Sequence, residues 1–134
     1  MRKVLGGAAA LGVLVALSAC GGGSDTASSA SATQESLIQK SIHECGLKGS
    51  NFMSLGDDGN TLTLQGAPKY GDGLSFDQIK CVVTTTGGPD SVASKMGQTR
   101  ALDGMQNATW GDYEATWTFH PDNGMNVILT KASQ

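Results

Sequence analysis

The sequence of 134 residues lacks an excess of basic charge, a long hydrophobic run and a recognisable catalytic motif. Lys and Arg number 9 against 12 Asp and Glu, so the formal net charge is −3. A chain with this acidic balance does not provide the basic surface that nucleic-acid binding requires. We therefore predict no nucleic-acid partner. Hydrophobic residues make up 39% of the chain, too many for a wholly disordered protein. At this length the chain forms at most one small domain.

Signals for catalysis and cofactor binding are also scarce. The sequence contains no Gly-x-Ser-x-Gly motif and no phosphate-binding loop. The acidic run from Asp57 invites a calcium interpretation, but the twelfth position of such a loop would be Pro68 rather than the required Glu. The two histidines, His43 and His120, have no nucleophile or orienting acid placed beside them by a motif. We therefore predict no catalytic residue, no metal site, no cofactor and no enzymatic activity.

The N-terminus has the pattern of a secretory signal. Arg2 and Lys3 precede an apolar run over residues 4–19, and small residues close that run. The run of sixteen residues is shorter than the roughly 20 that cross a membrane. Its glycines also weaken it as a helix. A permanent transmembrane helix is therefore the less favoured alternative.

Leu17-Ser18-Ala19-Cys20 resembles the lipobox of bacterial lipoproteins. The resemblance implies that residues 1–19 are a signal peptide and that the Cys20 thiol carries a diacylglyceryl group after cleavage. Two acyl chains make a stable membrane anchor, whereas one binds only marginally. Ordinary cleavage that leaves Cys20 as a spare thiol is the alternative. Residues 20–33 are rich in Gly, Ser and Ala and predict a flexible tether, so we expect a lipid-anchored protein on the extracytoplasmic face of the cell membrane.

The cysteine count indicates a disulfide. With Cys20 assigned to lipid, Cys45 and Cys81 remain, and an even remainder in an exported chain favours a bridge. Two free thiols or a metal site that includes His43 are the alternatives. The sequence has no Cys-x-x-Cys pair, so the evidence for zinc is weak.

Residues 34–134 are predicted to form an α+β domain in the order α-β-β-α-α-β-β-β. About five strands make a small antiparallel sheet, with two or three helices on one face. The clearest strand covers residues 113–120, where aromatic or small residues alternate with polar ones in a period of two. Four of the seven aromatic residues lie between residues 110 and 119, which places the centre of the core there.

A candidate binding patch consists of Arg100, Asp103, Trp110 and His120. Trp110 stands beside a Gly-Asp turn, so we expect it to be the exposed tryptophan and Trp117 to be buried. The alternative is structural, with Asp103 in an Asp-Gly turn and Arg100 bonded to Asp103 or to the backbone.

Several stretches of the domain resemble a group of small secreted or lipid-anchored proteins of high-GC Gram-positive bacteria. They are Arg100 with Leu102-Asp103-Gly104, Trp110 and Trp117, Phe119-His120-Pro121-Asp122, Leu62-Thr63-Leu64, and residues 76–81. The resemblance implies a lineage and a location, but no mechanism and no catalytic residue. We expect a non-enzymatic envelope lipoprotein that binds a protein or a small envelope ligand. A small enzyme or enzyme inhibitor acting on envelope polymers is the alternative.

Overall fold

The computed structural model describes residues 35–132. Three helices and five strands follow one another as α1 (Leu37–Glu44), β1 (Met53–Gly56), β2 (Thr61–Gln65), α2 (Phe76–Thr85), α3 (Asp90–Gln98), β3 (Gln106–Trp110), β4 (Tyr113–His120) and β5 (Gly124–Lys131). The predicted α+β class and element order are confirmed. The predicted signal peptide, Cys20 anchor and tether lie outside the described residues. Within the described part, no helix is long and apolar enough to cross a membrane.

Side-chain caps set where two of the helices begin. Ser36 is the N-cap of α1, and its hydroxyl accepts a hydrogen bond from the backbone N–H of Gln39 at 3.2 Å. Ser75 and Gln78 form a reciprocal capping box at the start of α2, with bonds of 3.2 and 3.0 Å. These bonds satisfy backbone donors that a helix leaves unpaired in its first turn.

The five strands form one antiparallel sheet in the order β1-β2-β5-β4-β3. Alternation along the strands gives the sheet one buried and one solvent-exposed face. The face toward the core carries the buried residues Leu62, Leu64, Trp110, Tyr113, Ala115, Trp117, Met125, Val127 and Leu129. The opposite face, here called the open face, carries Ser54, Thr61, Thr63, Gln65, Asn107, Thr109, Glu114, Thr116, Thr118, His120, Asn126, Ile128 and Thr130.

A disulfide joins the first two helices. Cys45 is the C-cap of α1, Cys81 lies within α2, and the two sulfurs are bonded. The predicted disulfide is confirmed, in preference to free thiols or a metal site. Because Ile38, Ile79 and Val82 are buried beside this junction, the bridge fixes two helices that share one core.

Candidate functional site

The predicted patch of four residues is not assembled. Trp110 pairs with Tyr113 at one end of the β3–β4 hairpin, whereas His120 pairs with Gly124 at the other end of β4. The seven steps from Tyr113 to His120 span about 24 Å at roughly 3.4 Å per residue. Trp110 and His120 therefore belong to opposite ends of the sheet.

The expectation that Trp110 is exposed is wrong. Only 9% of its surface is accessible, and its indole N–H donates a hydrogen bond of 3.1 Å to the carbonyl of Thr86. Thr86 is the C-cap of α2, so the indole of Trp110 on the sheet supplies a hydrogen-bond donor to the C-terminal end of that helix. Trp110 is buried although it stands beside a turn, because its polar indole nitrogen finds a hydrogen-bond partner in Thr86, which is distant in the sequence. Trp117 is buried, as expected.

Arg100 and Asp103 make the local structural interaction that was the alternative to binding. The Asp103 carboxylate accepts a bond of 2.7 Å from the backbone N–H of Arg100 and one of 3.4 Å from its guanidinium. These two bonds close a short turn over Ala101–Asp103. The backbone bond, with the guanidinium as the second cause, holds the pKa of the Asp103 carboxyl below its usual range. The turn leaves Leu102 almost fully exposed, at 96%.

His120 is also in a local arrangement. Its Nδ1 accepts a bond of 3.2 Å from the backbone N–H of Asp122, whose carboxylate lies 3.7 Å from the same nitrogen. Both side chains are exposed, and within residues 35–132 no hydroxyl or thiol hydrogen-bonds to His120. The ring is therefore positioned as part of a turn.

A cavity of about 310 Å³, here called the apolar cavity, opens between the helices and one end of the sheet. It lies at the end where β4 finishes and β5 begins. Its lining consists of Gly66, Ala67, Leu74, Phe76, Ile79, Met96, Gly97, Thr99, Phe119 and Met125. Its volume is at the lower end of the roughly 300–1,000 Å³ range of ligand pockets.

Glycines let the walls of this cavity pack closely. A Cβ on Gly97 would lie 3.1 Å from the ring of Phe76, so glycine lets that ring cover α3. A Cβ on Gly66 would lie 2.9 Å from the carbonyl oxygen of Met125, so glycine also permits the close approach of these two segments of the backbone. Phe76 remains 40% exposed at the cavity, whereas Met96 is fully buried.

The cavity is electrically neutral. None of its ten lining side chains is titratable, and its one polar side chain is Thr99. The Thr99 hydroxyl donates to the carbonyl of Lys95 at 2.8 Å and accepts from the indole of Trp117 at 2.9 Å. Both interactions occupy the hydroxyl within the protein, so the cavity offers mainly apolar contact. Such a lining favours an uncharged, hydrophobic ligand.

The described residues contain no group of three or more His, Cys, Asp or Glu side chains arranged to hold a metal ion. Comparison of the chain with protein-family models, curated proteins and solved structures finds no match.

Proposed function

We propose that this protein is a lipid-anchored, extracytoplasmic binding module that takes a small hydrophobic ligand into the apolar cavity. The observation that carries the proposal is a cavity of about 310 Å³ whose lining is apolar and holds no titratable side chain. An acid–base mechanism needs a titratable group within hydrogen-bond reach of the substrate, and this lining supplies none. The cavity therefore supports binding better than catalysis.

The volume sets the size of the ligand. An engineered cavity of roughly 150 Å³ holds benzene, so about twice that volume accommodates on the order of ten to twelve carbon atoms. Met96 and Met125 line the cavity, and methionine adapts readily to ligands of different shape. A medium-length alkyl chain or a compact bicyclic group fits these limits.

The binding proposal is tested with 1-aminonaphthalene, a bicyclic fluorescent probe that is uncharged at neutral pH, and with decanol as a competitor. We expect the probe to bind the native protein and decanol to displace it. Ala67 lines the cavity from an exposed position, so Ala67→Phe fills the space without disturbing the core. This variant should weaken probe binding about tenfold or more, equivalent to roughly 1.4 kcal/mol.

Ala101→Phe is the matched control, because it adds the same ring at an exposed position that does not line the cavity. Its probe affinity should equal that of the native protein. If Ala67→Phe and Ala101→Phe bind the probe with equal affinity, the probe binds elsewhere and the cavity is not the binding site.

The location is tested separately by Cys20→Ala in the full chain. The lipobox-like Leu17-Ser18-Ala19-Cys20 sequence predicts that the native protein sediments with membranes and that the variant does not. A variant that sediments as the native protein does would contradict the lipid anchor while leaving the cavity proposal intact.

A further inference from the structure

The open face of the sheet has an unusual composition for a solvent-exposed surface. Its thirteen outward side chains comprise ten uncharged polar groups, six of them threonine, together with Glu114, His120 and Ile128. A well-designed soluble surface carries about 25–35% charged residues, with both signs interspersed. One carboxylate and one imidazole among thirteen side chains indicate a surface suited to an uncharged partner.

The polar groups of this face are available for binding. Among the described residues, only Thr61 of the ten polar side chains makes a hydrogen bond within the protein, to the Asp57 carboxylate. One row crosses all five strands, with Ser54 on β1, Thr63, Ile128 and Thr116 within it, and Asn107 on β3. Neighbouring strands lie about 4.8 Å apart, so along about 19 Å this row presents polar groups on both sides of the apolar Ile128.

A shallow depression of about 110 Å³ lies at the β1–β2 side of the same face. Its lining consists of Asn51, Phe52, Met53, Ser54, Thr63 and Gln65, so polar residues with amide and hydroxyl groups lie beside apolar ones there. A sugar ring presents hydroxyl groups at its edge and C–H groups on its faces. This depression therefore offers both kinds of contact that a sugar ring uses.

We propose that the open face binds an uncharged glycan laid across the strands, with one sugar in the depression beside Phe52. The charge supports this choice of partner. A neutral chain meets a face with one carboxylate, whereas an anionic polymer or an anionic lipid surface is repelled by the net negative protein. A second copy packed on this face would bury many polar side chains without partners, and each such group costs stability.

The test uses neutral hexamers of glucose and of N-acetylglucosamine, titrated into isotopically labelled protein and followed by amide chemical shifts. We expect one of them to shift residues of the open face in β2, β5 and β4. The double variant Thr63→Val/Thr116→Val keeps the side-chain shape and the strand preference but removes two hydroxyls. It should weaken binding by about fivefold to tenfold, as expected for the loss of two hydrogen bonds.

Ser94→Ala on α3 removes an exposed hydroxyl away from the sheet and should leave glycan affinity unchanged. The absence of shifts with both hexamers, or equal affinity in the double variant, would overturn the proposal. Concentration-dependent association abolished by Thr116→Glu would instead identify a second copy as the occupant. The apolar probe should bind the double variant normally, so failure of this proposal is distinguishable from failure of the cavity proposal.

Discussion

At the scale of single residues, Trp110 connects the sheet with the end of a helix. A Cβ on Gly88 would lie 3.1 Å from its indole, so the glycine allows the ring to pack against the loop after α2. We predict that Trp110→Phe lowers the free energy of unfolding by about 1–3 kcal/mol, because it removes the donor to the buried carbonyl of Thr86. Urea denaturation measures this loss as a lower midpoint.

His120→Ala is the control for this measurement, since His120 is exposed and bonded only within its own turn. Its denaturation midpoint should stay within experimental error of the native value. A midpoint for Trp110→Phe equal to that of His120→Ala would show that the indole bond contributes no stability.

We predict that Tyr113 makes the free energy of unfolding sensitive to alkaline pH. Burial raises the pKa of its phenol, and the nearby Asp112 carboxylate adds to this effect. The unfolded chain, with an ordinary pKa of about 10, loses this proton first as the pH rises. The protonated phenol of Tyr113 therefore contributes its full stabilisation of the folded protein below about pH 10. This contribution is lost as the pH rises toward the folded-state pKa.

The measurement is urea denaturation between about pH 8 and pH 11, carried out on Cys20→Ala so that no free thiol attacks the disulfide. Tyr113→Phe has no phenolic proton and should lose less stability over the alkaline part of this range. Identical pH profiles for the two proteins would contradict a raised pKa at Tyr113.

At the scale of elements, the disulfide is the main covalent constraint on the helices. It closes a loop with a sequence separation of 36 residues between α1 and α2. We predict that Cys45→Ala/Cys81→Ala lowers the free energy of unfolding by about 3.8 kcal/mol in the chain-entropy account of such loops. Urea denaturation of the double variant measures the change.

Reduction of the native protein should produce a similar loss of stability, because it opens the same loop without changing the side chains that pack around it. A double variant as stable as the oxidised protein would mean that tertiary packing alone determines how α1 and α2 associate.

Local patterns predict elements well where the pattern and the tertiary contacts agree. The alternation in β4 identified its buried face because Ala115 and Trp117 point to the same core that the alternation implies. The capping box of Ser75 and Gln78 is a local pattern of the same kind, since both partners lie within one helical turn. Trp110 was misjudged because its partner Thr86 lies 24 residues away, and no local period carries that contact.

The apolar cavity could not be predicted for a related reason. Its walls come from several elements, and Phe76 and Met125 approach Gly97 and Gly66 from elements distant in the sequence. No local period carries these contacts.

At the scale of the whole molecule, the described chain begins at the end of the sheet opposite the cavity. Glu35 and Ser36 lie beside Asp112 and Lys131, where β4 begins and β5 ends. The cavity lies at the other end of these strands, about 24 Å away along β4. The tether predicted for residues 20–33 would, as a flexible Gly/Ser-rich chain, have a mean span of about 20 Å, which is no longer than the sheet itself.

Anchoring through Cys20 would therefore favour an orientation with the cavity directed away from the membrane. Removal of residues 1–19, as the lipobox-like sequence predicts, would take away Arg2 and Lys3 and leave 7 basic residues against 12 acidic ones, so the processed chain would carry a charge of −5. Anionic lipid repels such a domain and opposes contact between the bilayer and the end of the domain that carries the cavity. A ligand would then reach the cavity from the envelope side.

We predict that the anchored protein on anionic vesicles shows greater protection of Lys131 than of Lys69 from an amine-reactive reagent, each measured against the released protein. Lys131 lies where the chain enters the domain, and Lys69 lies in the loop that contacts Pro121 at the cavity end. Deletion of residues 21–30 shortens the predicted tether and should hold the end of the domain that carries Lys131 closer to the bilayer. The difference in protection between Lys131 and Lys69 should therefore increase. Stronger protection of Lys69 in either protein would show that the cavity faces the membrane, and the ligand would then be drawn from the lipid phase.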